Sequence, residues 1–171
     1  WDFGNGTSSS LQNPVSIYST PGFYTIKLTV TDAVTQDVHT QTDYVKVYNN
    51  PLASISNNNS IFCVPEEVIF VDETQFTNNI TSWLWDFGDG GSSVLQNPNY
   101  EYSTSGLFTV SLSVVDNKGC ESLIIFDNLI DAKEVPVADF SSDINFSCNN
   151  SENVSFINTS NNATNFTWDF G

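Results

Sequence analysis

The side chains able to do chemistry are few, and several return at fixed offsets. Three cysteines stand at positions 63, 120 and 148. Cys63 lies twelve residues beyond Pro51 and Cys148 twelve beyond Pro136, so these two are one site met twice. Cys120 follows the turn Asn117-Lys118-Gly119. The expected pairing is Cys63 with Cys120, which leaves Cys148 unpaired within the chain. Closing that loop of about 57 residues stabilises by roughly 4 kcal/mol in the chain-entropy account, and bridges of this kind belong to oxidising, extracellular locations. The alternative is buried free thiols. A zinc site is disfavoured, because no paired Cys-X2-Cys spacing is present.

Two carboxylates, Asp86 and Asp89, flank Gly88 in a turn rich in Gly and Ser. Hard cations take about six to eight oxygen ligands, so Ca²⁺ is the one cofactor these residues suggest. The competing role is structural, with Asp86 accepting backbone N–H bonds while Gly88 and Gly90 supply positive φ. Phe166 and Trp168 offer stacking surfaces for a sugar, as do Trp83 and Trp85. Both share a strand face with Phe87, so core packing is the better reading, and Trp83, at the strand's start, is the ring for a glycan contact. His39 is the only histidine. It sits in a polar stretch without a nucleophile, whereas general acid–base chemistry needs a positioned pair. Glu66 and Glu67 are neighbours on an expected loop, unlike the two facing carboxylates of a glycosidase. No catalytic constellation emerges, and the expectation is a non-enzyme.

The elements that position these residues repeat. Trp-Asp-Phe-Gly occurs at Trp1-Asp2, Trp85-Asp86 and Trp168-Asp169 with their following Phe and Gly, at intervals of 84 and 83 residues. Leu11-Gln12-Asn13-Pro14 returns as Leu95-Gln96-Asn97-Pro98, and Asp32 as Asp116. A fixed period defines the folding unit. Within it, apolar residues alternate with polar ones. Val68 and Phe70, Trp85 and Phe87, Tyr100 and Tyr102, and Phe108 through Val114 read as strands. Ala53 with Ile55 opens the first strand and Leu123–Ile130 supplies the last one or two. About seven short strands per repeat predict an all-β fold of tandem antiparallel β-sandwiches. Boundaries fall at Pro51 and Pro136, giving the back of one repeat (1–50), a complete repeat (51–135) and the front of a third (136–171). With no methionine, the chain reads as an internal segment. Links of about three residues predict a semi-rigid rod.

With these residues in view, the chain resembles the PKD (polycystic kidney disease) domain, whose hallmark stands intact as Trp85-Asp86-Phe87-Gly88-Asp89-Gly90. The sequel also matches, with Asn97-Pro98, Tyr102, Gly106, Phe108–Val114 and Asp116. The first repeat departs at Asn5, where the second Asp is expected, and carries Gln36 in place of Cys120. The resemblance implies tandem immunoglobulin-like sandwiches and, for some relatives, calcium near the Asp86 loop. Gly119-Cys120 with an early Cys63 is similar to the variety common in secreted Bacteroidetes proteins. By that analogy the repeats form a non-catalytic stalk in a cell-surface adhesin, including gliding adhesins exported by the type IX pathway. The alternative is a carbohydrate- or protein-binding accessory region of a secreted hydrolase.

Charge narrows the partners. Four Lys, no Arg and twenty Asp plus Glu give a net charge of −16. Nucleic-acid binding needs clustered cations and is excluded. No apolar run approaches the roughly 20 residues that span a bilayer, so this segment is expected not to insert in a membrane. Neighbouring repeats of the same chain, and surface glycans or proteins, remain as expected partners.

Overall fold

A computed structural model describes residues 1–75, 78–144 and 153–171. Every regular element among them is a strand. β1 (Gly22–Thr31) and β2 (Gln36–Val47) form an antiparallel hairpin. Then come β3 (Ile55–Asn57), β4 (Ile61–Cys63), β5 (Glu66–Asp72), β6 (Ile80–Asp86), β7 (Ser92–Ser93), β8 (Asn99–Tyr102), β9 (Gly106–Asp116) and β10 (Glu121–Lys133). β11 (Phe140–Ser142) and β12 (Phe156–Asn158) form a last antiparallel pair. In the middle repeat one sheet has the order β3-β5-β8 and the other β4-β10-β9-β6-β7.

Alternation in the sequence becomes alternation of burial. Along β9, Val110, Leu112 and Val114 are fully buried while the residues between them are half-exposed. The same period places Val68 and Phe70 of β5 inside. The chain forms two compact units. The first comprises Trp1–Ala53, Thr74–Trp83 and Ser113–Leu123, and the second Ser54–Glu73, Leu84–Leu112 and Ile124–Gly171. Phe3, Ala53, Val114 and Asp116 are buried in the first. The second holds a core of Val68, Phe70, Trp85, Phe87, Tyr102, Val110, Leu112 and Ile130, all without exposed surface.

Aromatic rings dominate that core and join its two sheets. Phe70 of β5 lies 5.6 Å from Trp85 of β6 between ring centroids, and Tyr102 of β8 lies 5.9 Å from Phe62 of β4. Tyr102 also stacks on Phe108 at 5.0 Å. Trp85 satisfies its one polar atom by donating Nε1–H to the Leu95 carbonyl at 3.0 Å, so its burial leaves no orphaned donor.

The structure departs from the expected strands at two places. β4 and β7 are additional short strands, and β7 falls inside the stretch expected as a turn. Glu66 and Glu67 are not on a loop: they begin β5, in register with Tyr102 and Glu101. The final stretch, expected as one or two strands, is the single long strand β10. Asn128, within it, has φ 53°.

Trp85→Ala is expected to cost about 3–5 kcal/mol, the range for removing a large buried aromatic side chain. Set against a total of about 5–15 kcal/mol for a domain, that loss comes close to unfolding the repeat. Chemical denaturation measures it, and a cost below about 1 kcal/mol would remove the indole from the core.

Candidate functional site

The Trp85–Gly90 segment ends β6 and turns toward β7. Gly88 has φ 84° and Gly90 φ 98°, a region L side chains rarely enter. Asp86 makes the first turn by accepting the Gly88 N–H on Oδ1 at 2.9 Å. The other two motifs repeat the bond: Gly4 N–H donates to Asp2 Oδ1 at 2.9 Å, and Gly171 N–H to Asp169 Oδ1 at 3.0 Å. Gly88 is irreplaceable for a second reason. A Cβ there would run into the Thr109 carbonyl oxygen and lie 2.9 Å from the Thr109 nitrogen.

Asp89 makes the second turn. Its Oδ1 accepts the Gly91 N–H at 2.9 Å. The Tyr100 hydroxyl donates to the same carboxylate, at 2.8 Å from Oδ1 and 2.9 Å from Oδ2. The Tyr100 ring stacks on Phe87 with centroids 3.9 Å apart. Burial pushes the Tyr100 hydroxyl up to about 12, aided by its bond to Asp89 and by that carboxylate's charge. Burial likewise raises Tyr102, with Asp89, Tyr100 and Asp86 adding to it. The Tyr102 hydroxyl donates to the Phe87 carbonyl at 3.0 Å, as Tyr18 does to Phe3 at 3.1 Å.

The carboxylates of Asp86 and Asp89 are therefore engaged by their own turns and by Tyr100. Among the described residues no group of three or more His, Cys, Asp or Glu is arranged to hold a metal ion. This donor set does not fit Ca²⁺, which asks for about six to eight oxygens. The first repeat supports the structural role. Asn5 accepts the Thr7 N–H on Oδ1 at 3.0 Å and donates Nδ2–H to the Ile17 carbonyl at 3.0 Å. An amide there does the carboxylate's work without its charge.

Of the candidate aromatic residues, Trp85 and Phe87 are fully buried and Trp83 half-buried. Trp1 is half-buried and Trp168 is 40% exposed. His39 is exposed on β2, its Nε2 3.2 Å from Gln41 Nε2.

The expected Cys63–Cys120 bridge does not form. Both thiols are free, Cys63 exposed and Cys120 half-buried. The reason is register. Cys63 pairs with Lys133 at the end of β10, while Cys120 immediately precedes its first residue, Glu121. At about 3.3 Å per residue, a strand of this length holds the two roughly 40 Å apart, whereas a disulfide needs Cα atoms about 4.4–6.8 Å apart. Cys148 lies outside the described residues.

Missed in the sequence was the role of Asp116 in holding the turn Asn117-Lys118-Gly119. Its buried carboxylate accepts the Lys118 N–H at 2.8 Å and the Cys120 N–H at 2.9 Å on Oδ1, and the Asn78 amide on Oδ2 at 3.0 Å. Desolvation alone pushes Asp116 up, but the Cys120 and Lys118 N–H bonds, the Asn78 amide and the Lys118 charge outweigh it and hold the carboxyl below its usual value. Asp32 does the same for Val34 and Thr35. The recurrence of Asp32 at Asp116 was the available signal.

The two sheets of β3–β10, with the Trp-Asp-Phe-Gly turn after β6, define an immunoglobulin-like β-sandwich. The sequence profile of the PKD domain matches residues 1–47 and 48–127, and the chain belongs to the PKD domain family. It is similar to a microbial collagenase of Vibrio alginolyticus, 39% identical over 75 residues, which is 43% of this chain and 9% of that protein. Collagenase ColA of Bacillus cereus is 40% identical over 76 residues, covering 43% of this chain and 7% of the collagenase. The chain thus spans under a tenth of these relatives' length. Among solved structures, the PKD1 domain of the Vibrio cholerae metalloprotease PrtV aligns at TM-score 0.44 and 27% identity, over 50% of this chain and 99% of that domain.

Tyr100→Phe is expected to destabilise the fold by about 1–2 kcal/mol, as for a lost bond to a charged group in a half-exposed setting. The stability from the raised Tyr100 hydroxyl is fully present below pH 10 and lost as pH rises through about 12. Denaturation from pH 9 upward should therefore show an alkaline decline that is shallower in the variant, where the raised Tyr102 remains. An unchanged alkaline limb in the variant would assign the decline elsewhere.

Proposed function

We propose that these repeats are non-catalytic spacers in a large secreted surface protein, an adhesin in which each repeat adds length and another region makes the specific contact. The repeats are those of the sequence periodicity, bounded near Pro51 and Pro136. The observation that carries this reading is how fully the hallmark motif is occupied within its own fold. Trp85 and Phe87 have no exposed surface, Asp86 holds the Gly88 N–H, and Asp89 holds Gly91 and Tyr100. Nothing in that set is left to meet a substrate. The net charge of −16 adds self-repulsion, which keeps long arrays apart and soluble. Among the described residues no helix is long and apolar enough to cross a membrane, and the spacer reading places this segment outside the cell. Small-angle scattering from the chain should give the long-tailed distance distribution of an elongated particle. A symmetric, compact distribution would contradict the spacer.

A second reading is favoured by the collagenase relatives: an accessory region of a secreted hydrolase whose repeats touch a polymeric protein or glycan. Trp83 is then the contact ring. In that case Trp83→Ala abolishes binding to collagen or polysaccharide while leaving the unfolding transition in place. Retained binding, or a lost transition, would return Trp83 to a packing role.

A further inference from the structure

We propose that Cys63 and Cys120 are the two halves of a disulfide between successive repeats, in which the Cys63 of one repeat bonds the Cys120 of the next. The inference rests on the tandem-spacer reading and deepens it, since it turns a row of sandwiches into a covalently pinned array.

Two hairpins carry the same irregularity. In β1–β2, Asp43 has φ 51° and donates its N–H to Thr25 Oγ1 at 3.4 Å. In β9–β10, Asn128 has φ 53° and donates to Thr109 Oγ1 at 3.2 Å. Asp43 and Asn128 are therefore counterparts, and five residues further on Tyr48 is the counterpart of Lys133. Lys133 is the residue that Cys63 faces across the parallel β4–β10 pair. A repeat thus carries its Cys63 thiol beside the position that Tyr48 occupies in the first repeat.

The middle repeat's Cys120 turn lies against that same Tyr48. Lys118 Nζ sits 5.4 Å from the centre of the Tyr48 ring. Lys118 and Cys120 are fixed in one turn, since Asp116 Oδ1 accepts the N–H of both. The turn that bears Cys120 is therefore seated over the residue beside which the preceding repeat places its Cys63.

The other end of the middle repeat agrees. Cys63, Gly106 and Lys133 line one cleft of about 860 Å³ with Asn162 and Ala163 of the third repeat, and Asn162 donates to Glu134 Oε2 at 2.6 Å. The Asn161–Val137 bridge is the counterpart of the Gln75–Leu52 bridge, so the segment after Asn161 corresponds to the loop that contains Asn78 and Asn79. In the middle repeat that loop is bonded to the Cys120 turn, through Asn117 N–H to the Asn79 carbonyl at 2.9 Å and Asn78 to Asp116. A third repeat's Cys120 turn accordingly belongs next to the cleft where Cys63 is exposed. Gln36 at the Cys120 position of the first repeat marks a junction without the bridge.

The oxidant is a small-molecule disulfide such as glutathione disulfide. Two S–H bonds break, one S–S bond forms between repeats, and the two electrons and two protons leave on two molecules of reduced glutathione.

The test extends the chain after Gly171, the counterpart of Gly88, with a second copy of residues 89–135, which completes the third repeat. After treatment with glutathione disulfide, alkylation and non-reducing proteolysis, Cys63 should appear linked to the second copy of Cys120. The first Cys120 and Cys148 should be alkylated, and Cys63→Ser should free the second Cys120. A bond between Cys63 and Cys120 of the same repeat, or an alkylated Cys63 in the folded extended chain, overturns the proposal. The unextended chain gives an independent reading under the same oxidant: Cys63 and Cys120 should both stay alkylatable, and a bond joining them within one molecule overturns the proposal even if the extended chain does not fold. An elongated particle by scattering with unbridged thiols would defeat the cross-link alone and leave the spacer standing.

Discussion

One residue pins the architecture of the first and of the middle repeat: the threonine on the long strand that faces the hallmark turn. In the middle repeat this is Thr109 of β9. Its backbone packs so tightly against Gly88 that a Cβ has no room, and its hydroxyl accepts the N–H of Asn128 where β10 adopts a left-handed residue. The turn after β6 and the bend of β10 are thus fixed against a single point. Thr25 does the same in the first repeat, with Gly4 on one side and Asp43 on the other. The geometry shared by these two repeats needs a glycine at one position and a hydroxyl at the other.

That constraint explains which parts of the fold were legible in the sequence. Long alternating stretches such as Phe108–Val114 declare their buried face, because a one-residue slip would expose every apolar side chain. Short strands do not. β4 has three residues and β7 two, too few for a period, and each exists because a longer neighbour offers it hydrogen bonds. Glu66 and Glu67 read as a loop by composition, yet pairing with β8 carries them into β5. In each case tertiary pairing overrode local preference.

The acidic loop shows the same division between pattern and partner. Two aspartates in a Gly-rich turn are equally good signs of a cation site and of turn capping, and sequence alone does not separate them. The partner does. Asp89 receives a hydroxyl from Tyr100, eleven residues away, and where the first repeat has Asn5 the counterpart of Tyr100 is Ser16, to which Asn5 donates at 3.3 Å. Donor and acceptor change together across the repeats, which is how a turn-to-strand hydrogen bond behaves when one side is altered. A metal site would instead call for retained negative charge.

The cysteines carry the sharpest lesson, because their spacing was read correctly and their pairing was not. Recurrence at a fixed distance from Pro51 and Pro136 says that the Cys63 position belongs to the repeat, but distance along a chain carries no information about which end of a sandwich a residue occupies. β10 decides that, with Cys120 at its start and Cys63 facing its last residue. The entropic gain expected from closing a loop inside one domain therefore does not arise. It also follows that the cysteines cannot by themselves place the chain in an oxidising compartment through an intradomain bridge. What the two thiols share is position at opposite ends of β10, Cys63 beside its last residue and Cys120 just before its first.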